Sequence, residues 1–197
     1  MSTTTKKYEF VPGDEIVIAP GRTVKRIRAL VAIAALGITP GTLGGYVEAE
    51  SNLSQVSGNA WVYGNARVSG NARVSGDAQV SGNAWVYGNA WVYGNARVYG
   101  NARVSGDAQV SGNAQVSGDG LIFWASKVGS ENGTLTVYNT KDNTLQVTRG
   151  CFIGSVDEFL AASEKKHDED THLEYRLLIE VAHSRITRAR AKLGSAQ

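Results

Sequence analysis

Residues 62–80 read VYGNARVSGNARVSGDAQV, one six-residue phrase with few variations. Valine stands at 56, 62, 68, 74, 80, 86, 92, 98, 104, 110 and 116 without a miss. Two places before each valine from Val62 onward is an alanine, from Ala60 to Ala114. Two places after each valine is a glycine, followed by Asn or Asp. A period of six does not keep an apolar stripe on one face of a helix, which needs about 3.6. In a strand, successive side chains alternate between faces, so the triplet Ala-x-Val points in, out, in. The Gly-Asn or Gly-Asp pair tolerates left-handed backbone angles, which lets the chain turn a corner. A short strand and a corner, repeated, predict a solenoid filled by Ala and Val.

Across the whole chain the composition is ordinary: 42% hydrophobic, 19% charged, with a formal net charge of +2. Binders of nucleic acid or of membrane surfaces are usually more lopsided, so neither partner is expected. The single cysteine, Cys151, excludes an intramolecular disulfide and fits a reducing compartment. The start, MSTTTKKYEF, lacks the apolar run of a signal peptide. The longest apolar stretch, Ala29 to Ile38, is about half of a membrane-spanning helix. Cytosol is the default expectation.

The flanks divide the chain into four parts. Residues 1–50 are expected to form a β-rich cap from KKYEFV, EIVIAP and RTVKRIRALVAI, with turns at Pro12-Gly13 and Pro20-Gly21. Residues 51–121 form the solenoid. Residues 122–154 supply the antiparallel β segment, in which LIFWASKV, TLTVYNT and TLQVTRGCFIG read as three strands. Asn132-Gly133 makes the stronger turn between them, and Lys141-Asp142-Asn143 the other. Residues 155–197 hold helices, the first opened by the capping box Ser155-Val156-Asp157-Glu158. The second, from about Thr171, is expected to bury Leu173, Leu177, Leu178, Val181, Ile186 and Leu193.

The hexads resemble the hexapeptide-repeat family, in which three units form one triangular coil of a left-handed parallel β-helix. The resemblance therefore implies a mainly β fold of between three and four coils, with β-rich and helical caps. With eighteen residues per coil, the residues before the valines stack as Gln55-Arg73-Trp91-Gln109, Trp61-Gln79-Arg97-Gln115 and Arg67-Trp85-Arg103-Leu121. Residues 61–84 recur as 91–114 with one change, Ser69 against Tyr99. That offset of thirty keeps the hexad phase and rotates the outward pattern to another face, so no one face has constrained it. Trp61, Trp85 and Trp91 are outward candidates for stacking bases or sugars, beside neighbouring arginines. Their plainer reading is solvent-exposed or subunit-contacting surface.

The flanking stretches VKRIRAL…TLGGYVEAESNLSQ and GTLTVYNTKDNTLQVTRGCFIGSVDEF resemble small phage and prophage hexapeptide-repeat proteins. Some of these carry an acetyltransferase label, although a fold does not specify a function. Hexapeptide acyltransferases use a histidine near the coils and a loop that interrupts the repeats. Residues 56–120 contain neither, and His167, His172 and His183 all lie further on. We therefore expect no catalytic residue, cofactor or metal. A binding function has better candidates. Gly154 and Ser155 open a helix whose N–H groups attract anions, with Arg149 just upstream. Arg26 and Arg28, with Arg22 and Lys25, add cations if subunits bring them close. The family is commonly trimeric, so a homotrimer is expected, with ligands between subunits. In a phage setting, inside the host bacterial cytosol, the ligand would be an anionic nucleotide signal of host defence, or a host protein. A structural spacer or assembly module is one alternative expectation, and a hexapeptide-repeat acyltransferase is the enzyme alternative.

Overall fold

The computed structural model describes residues 6–56, 58–118 and 120–194. Its body is a parallel β-solenoid. The strands are β4 (Trp61–Val62), β5 (Arg67–Val68), β6 (Arg73–Val74), β7 (Gln79–Val80) and β8 (Trp85–Val86). They continue as β9 (Trp91–Val92), β10 (Arg97–Tyr99), β11 (Arg103–Val104), β12 (Gln109–Val110) and β13 (Gln115–Ser117). Pairing joins every third strand: β4-β7-β10-β13, β5-β8-β11 and β6-β9-β12, all parallel. Val68 lies on Val86 and Val86 on Val104, eighteen residues on each time, so three hexads make one coil.

Ala60 to Ala114 and Val62 to Val116 line the interior, none of them more than 1% exposed. Burying each valine contributes about 1.5–3 kcal/mol. The corner glycines from Gly58 to Gly118 all have positive φ, between 58° and 74°. At one corner Asn71 donates to Asn89 at 3.1 Å, and Asn89 donates to Asp107 at 2.9 Å.

Both ends of the stack are closed by sheet. At the N-terminal end, β1 (Tyr8–Ala19), β2 (Arg22–Ala29) and β3 (Leu43–Val47) extend one face in the order β1-β2-β3-β5-β8-β11. Pro20-Gly21 makes the expected turn, with Gly21 at φ 71°. Pro12-Gly13 does not: it lies inside β1, where the register to β2 slips between Phe10 and Glu15. A proline cannot donate to the ladder, so a bulge absorbs it without ending the strand. Nor does β2 run on to Ile33. The chain leaves the sheet after Ala29, and Ile33 folds back to bridge Ile38, both buried.

The first coil enters out of phase with the hexads. Leu53, fully buried, bridges Val74, while Val56 is 73% exposed. Asn52 explains the shift. Its side chain donates to the carbonyls of Gly70 and Ala72 and accepts from the N–H of Ala49, a set of bonds that pins residue 53 at the coil position. Gln55 accordingly does not stack on Arg73. Its Oε1 accepts from the N–H groups of Lys7 and Tyr8, and its Nε2 donates to the Tyr8 carbonyl, standing in for a strand partner.

At the other end, β14 (Ile122–Val128), β15 (Gly133–Asn139), β16 (Leu145–Arg149) and β17 (Phe152–Ser155) form an antiparallel meander. The third expected strand is thus two, broken at Gly150, which has φ 59°. Leu121 is buried against this sheet and does not extend the Arg103 column. Side chains of the meander occupy hydrogen-bonding groups of the last coil. Thr148 donates to the Gln109 carbonyl at 2.7 Å, the Gln109 N–H donates to Thr136, and the Ser111 N–H donates to Tyr138. An open coil edge would otherwise offer a template for pairing.

Helices α1 (Val156–Lys166) and α2 (Glu169–Gly194) pack on the meander. The buried face of α2 is Tyr175, Ile179, Ala182 and Ile186. Of the expected set only Ile186 is fully inside; Leu173, Leu177, Val181 and Leu193 are exposed. Two apolar stripes coexist on α2, and the sheet takes the one carrying Tyr175.

Candidate functional site: a cavity in the C-terminal cap

The turn between β16 and β17 sets Arg149 opposite Phe152. The Arg149 side chain runs flat over Gly133, where a Cβ would sit only 2.3 Å from its Nη1. That small residue makes room for a guanidinium at the strand end. Arg149 Nε donates to the Tyr175 hydroxyl at 3.0 Å, and Nη2 reaches the Val128 carbonyl at 3.4 Å. Its carboxylate partner among the described residues is Glu131, at 3.8 Å and itself 66% exposed. The Arg149 side chain is only 11% exposed. A largely desolvated cation thus holds a distant carboxylate, an arrangement that favours a closer anion.

Aromatic rings complete the walls. Phe152 meets Phe159 at 5.2 Å, and Phe159 meets Tyr175 at 5.1 Å, both edge to face. The His167 ring lies 5.7 Å from that of Tyr175. Together with Cys151 and Lys166 these residues enclose a cavity of about 370 Å³. Lys166 is 71% exposed, with its Nζ 3.9 Å from Glu131. With Arg149 and Glu131 also in its lining, the cavity sets two cations and one carboxylate beside ring edges, a combination that can take a planar anionic ligand.

Gly154 and Ser155 do not share this site with Arg149. They pair with Val147 and Gln146, at the far end of the β16–β17 hairpin. Two of the N–H groups at this helix start are already engaged. Ser155 N–H donates to Glu158 Oε2 at 2.7 Å, and Glu158 N–H donates to Ser155 Oγ at 3.2 Å, closing the capping box. These bonds hold the Glu158 carboxyl below the usual carboxylate range. Asp157 and Glu158 make that helix end acidic.

Arg26 and Arg28 lie at the other cap. Arg26 donates to Asp14 at 2.8 Å, to the Gly44 carbonyl at 2.8 Å and to the Tyr46 hydroxyl at 2.7 Å, and it stacks on the Tyr46 ring. Arg28 pairs with Glu9, and Arg22 makes a two-point contact with Glu48. Hydrogen bonding from Arg22, assisted by the Gly70 N–H, keeps the Glu48 carboxyl low despite its partial burial. Arg22 and Arg26 tie the N-terminal hairpin to Gly44, Tyr46, Glu48 and Gly64, while the Arg28 pair lies within the hairpin.

The tryptophans separate as well. Trp61 is 0% exposed, covered by Tyr8, which corrects its assignment to the surface. Trp85 is half-buried on β8, and its Nε1 donates to Ser69; Trp91, 42% exposed on β9, donates to Ser75. Strands β8 and β9 belong to different faces, so the three rings form no common surface.

His167 and His172 sit at the junction of α1 and α2, bonded to Ser130 and Ser163, and His183 is exposed. Among the described residues no helix is long and apolar enough to cross a membrane. Among the described residues no group of three His, Cys, Asp or Glu could hold a metal.

Of the cavity residues, the sequence pointed only to Arg149 among the ligand candidates. Phe152, Phe159, Lys166 and Tyr175 were missed. Tyr175 had a legible signal, the spacing 175, 179, 182, 186 along α2, but the competing leucine stripe obscured it.

A family model described as YdcK beta-solenoid repeat matches the chain at residues 66–79, 78–94, 92–106 and 96–112. A comparison with curated proteins finds no match. The family matches fall inside the coils, and coils and matches agree on a repeat β-solenoid protein.

Proposed function

We propose that this chain is a non-catalytic binding protein whose cavity at Arg149 holds an anionic ligand carrying a planar ring, of nucleotide type. The observation that carries the reading is the Arg149 guanidinium, 11% exposed, whose carboxylate contact among the described residues is at 3.8 Å. A phosphate between Arg149 and Lys166 would replace the distant Glu131 contact with charge-assisted hydrogen bonds. A base would lie against Phe152 and Tyr175. The resemblance to phage hexapeptide-repeat proteins supplies the setting: left-handed coils, the cytosol of a bacterial host, and a ligand made by host defence.

Calorimetry with ATP, cyclic dinucleotides and ADP-ribose derivatives tests it. Heat is expected with at least one, and binding about tenfold weaker or worse in Arg149→Met and in Lys166→Gln. Lys166 is exposed, so its variant keeps the fold. No heat with any ligand ends this reading and favours the alternative, a rigid spacer or assembly module. That alternative draws on the repeat itself, whose thirty-residue duplication rotates the outward residues.

A further inference from the structure

Helix α2 carries an apolar stripe that its own chain leaves open. Leu173, Leu177 and Val181 are 37%, 51% and 48% exposed. At 3.6 residues per turn they fall within an arc of about 80°, on the side of the helix roughly opposite Tyr175, Ile179, Ala182 and Ile186. The core therefore has no further use for them. The charge on the same helix is segregated along its length. Residues 169–180 hold Glu169, Asp170, Glu174 and Glu180 against one arginine, Arg176. Residues 181–194 hold Arg185, Arg188, Arg190 and Lys192 with no carboxylate.

We propose that α2 packs antiparallel against α2 of a second copy of this chain, about a two-fold axis at the level of Ile179. Only the antiparallel arrangement sets the acidic half of each helix beside the basic half of the other. A two-fold contact is self-complementary, so every pairing occurs twice. In this register Leu177 of each copy meets Val181 of the other, and Asp170 meets Arg188. Both charged residues lie on the sector of the stripe, one near each end. A parallel pair would bring like charges together along the whole contact, and a charged or disordered partner of another kind would match only half of the helix. Arg190, which donates to Asn139 at 2.7 Å, stays with its own chain.

Light scattering after size exclusion, with sedimentation at several concentrations, tests the contact. The wild-type chain is expected at twice the chain mass, dissociating on dilution. Leu177→Glu, an exposed substitution whose folding is checked by circular dichroism, is expected to be a monomer. Asp170→Arg and Arg188→Asp alone should each weaken association by about tenfold or more, and the two together should restore it. Wild-type protein that stays monomeric overturns the proposal. So does a three-fold mass, as the hexapeptide resemblance implies, that Leu177→Glu leaves unchanged. Failure of the double variant to recover rejects the antiparallel register.

Discussion

Trp61 and Tyr8 meet edge to face with ring centroids 6.3 Å apart, and neither has any exposed surface. The same octapeptide, WVYGNARV, runs from 61 and again from 91, yet Trp91 is 42% exposed. Trp61→Ala should cost about 3–5 kcal/mol, the range for emptying a buried aromatic site. Trp91→Ala should cost under about 1 kcal/mol, as surface changes usually do. Urea denaturation of the two variants makes the comparison, and equal losses would contradict the capped position of Trp61.

The corner glycines share positive φ but not the same surroundings. A Cβ on Gly88 would meet the Gly106 nitrogen at 2.9 Å, whereas on Gly64 the nearest atom is 3.8 Å away. Both alanine variants incur the left-handed strain of about 1–2 kcal/mol. Gly88→Ala should lower the melting temperature further, because stacked backbone must also move apart. A larger loss for Gly64→Ala would argue against the stacking of successive corners.

Val86 lies between Val68 and Val104 in the coil interior. Val86→Asp places an unpaired charge there, and an insoluble product is expected. Val86→Thr provides the graded control, losing stability while remaining soluble. A folded Val86→Asp variant with unchanged melting temperature would be incompatible with the inward face.

Lys7 is buried, with its Nζ donating to the Ala60 carbonyl at 3.0 Å. Burial lowers its pKa from 10.5 to about 8, against the opposing pull of Asp77. The unfolded chain keeps this proton up to about pH 10.5, while the folded chain releases it near 8. Between those values the unfolded state binds more protons, so this group makes stability rise with pH. Below pH 8 the burden of the buried charge is complete. Lys7→Met should therefore gain most over wild type below pH 8, and its advantage should shrink toward pH 10.5 in urea midpoints taken across that range.

On α2, Ile186 is fully buried and Leu177 is half exposed. In protein dilute enough to be monomeric, Ile186→Ala should cost about 2–5 kcal/mol. Leu177→Ala should stay within about 0.5 kcal/mol. The reverse order would restore the leucine face as the packed one.

These contrasts mark how far the chain could be read unaided. The eighteen-residue coil came from the family resemblance, while the six-residue period carried the solenoid and the inward Ala and Val, because each repeat states its own local geometry. The capping box at Ser155 and the turns at Pro20-Gly21 and Asn132-Gly133 were legible for the same reason. Where the chain meets something distant, that reading failed. Val56 lost its coil position to Leu53 because Asn52 binds the next coil, eighteen and twenty residues on. One misreading was local instead: the Ser155 N–H counted as open is occupied by Glu158, three residues on, within the capping box itself.

Alternation along a short strand depends only on neighbouring residues, so sequence alone determined the solenoid and what fills it. Which of two identical tryptophans is buried, which stripe of α2 meets the sheet, and that Phe152, Phe159 and Tyr175 close around Arg149 were decided by tertiary structure. Each of these depends on a surface brought from far along the chain, and side chains with the same local code differ only in whether that surface reaches them.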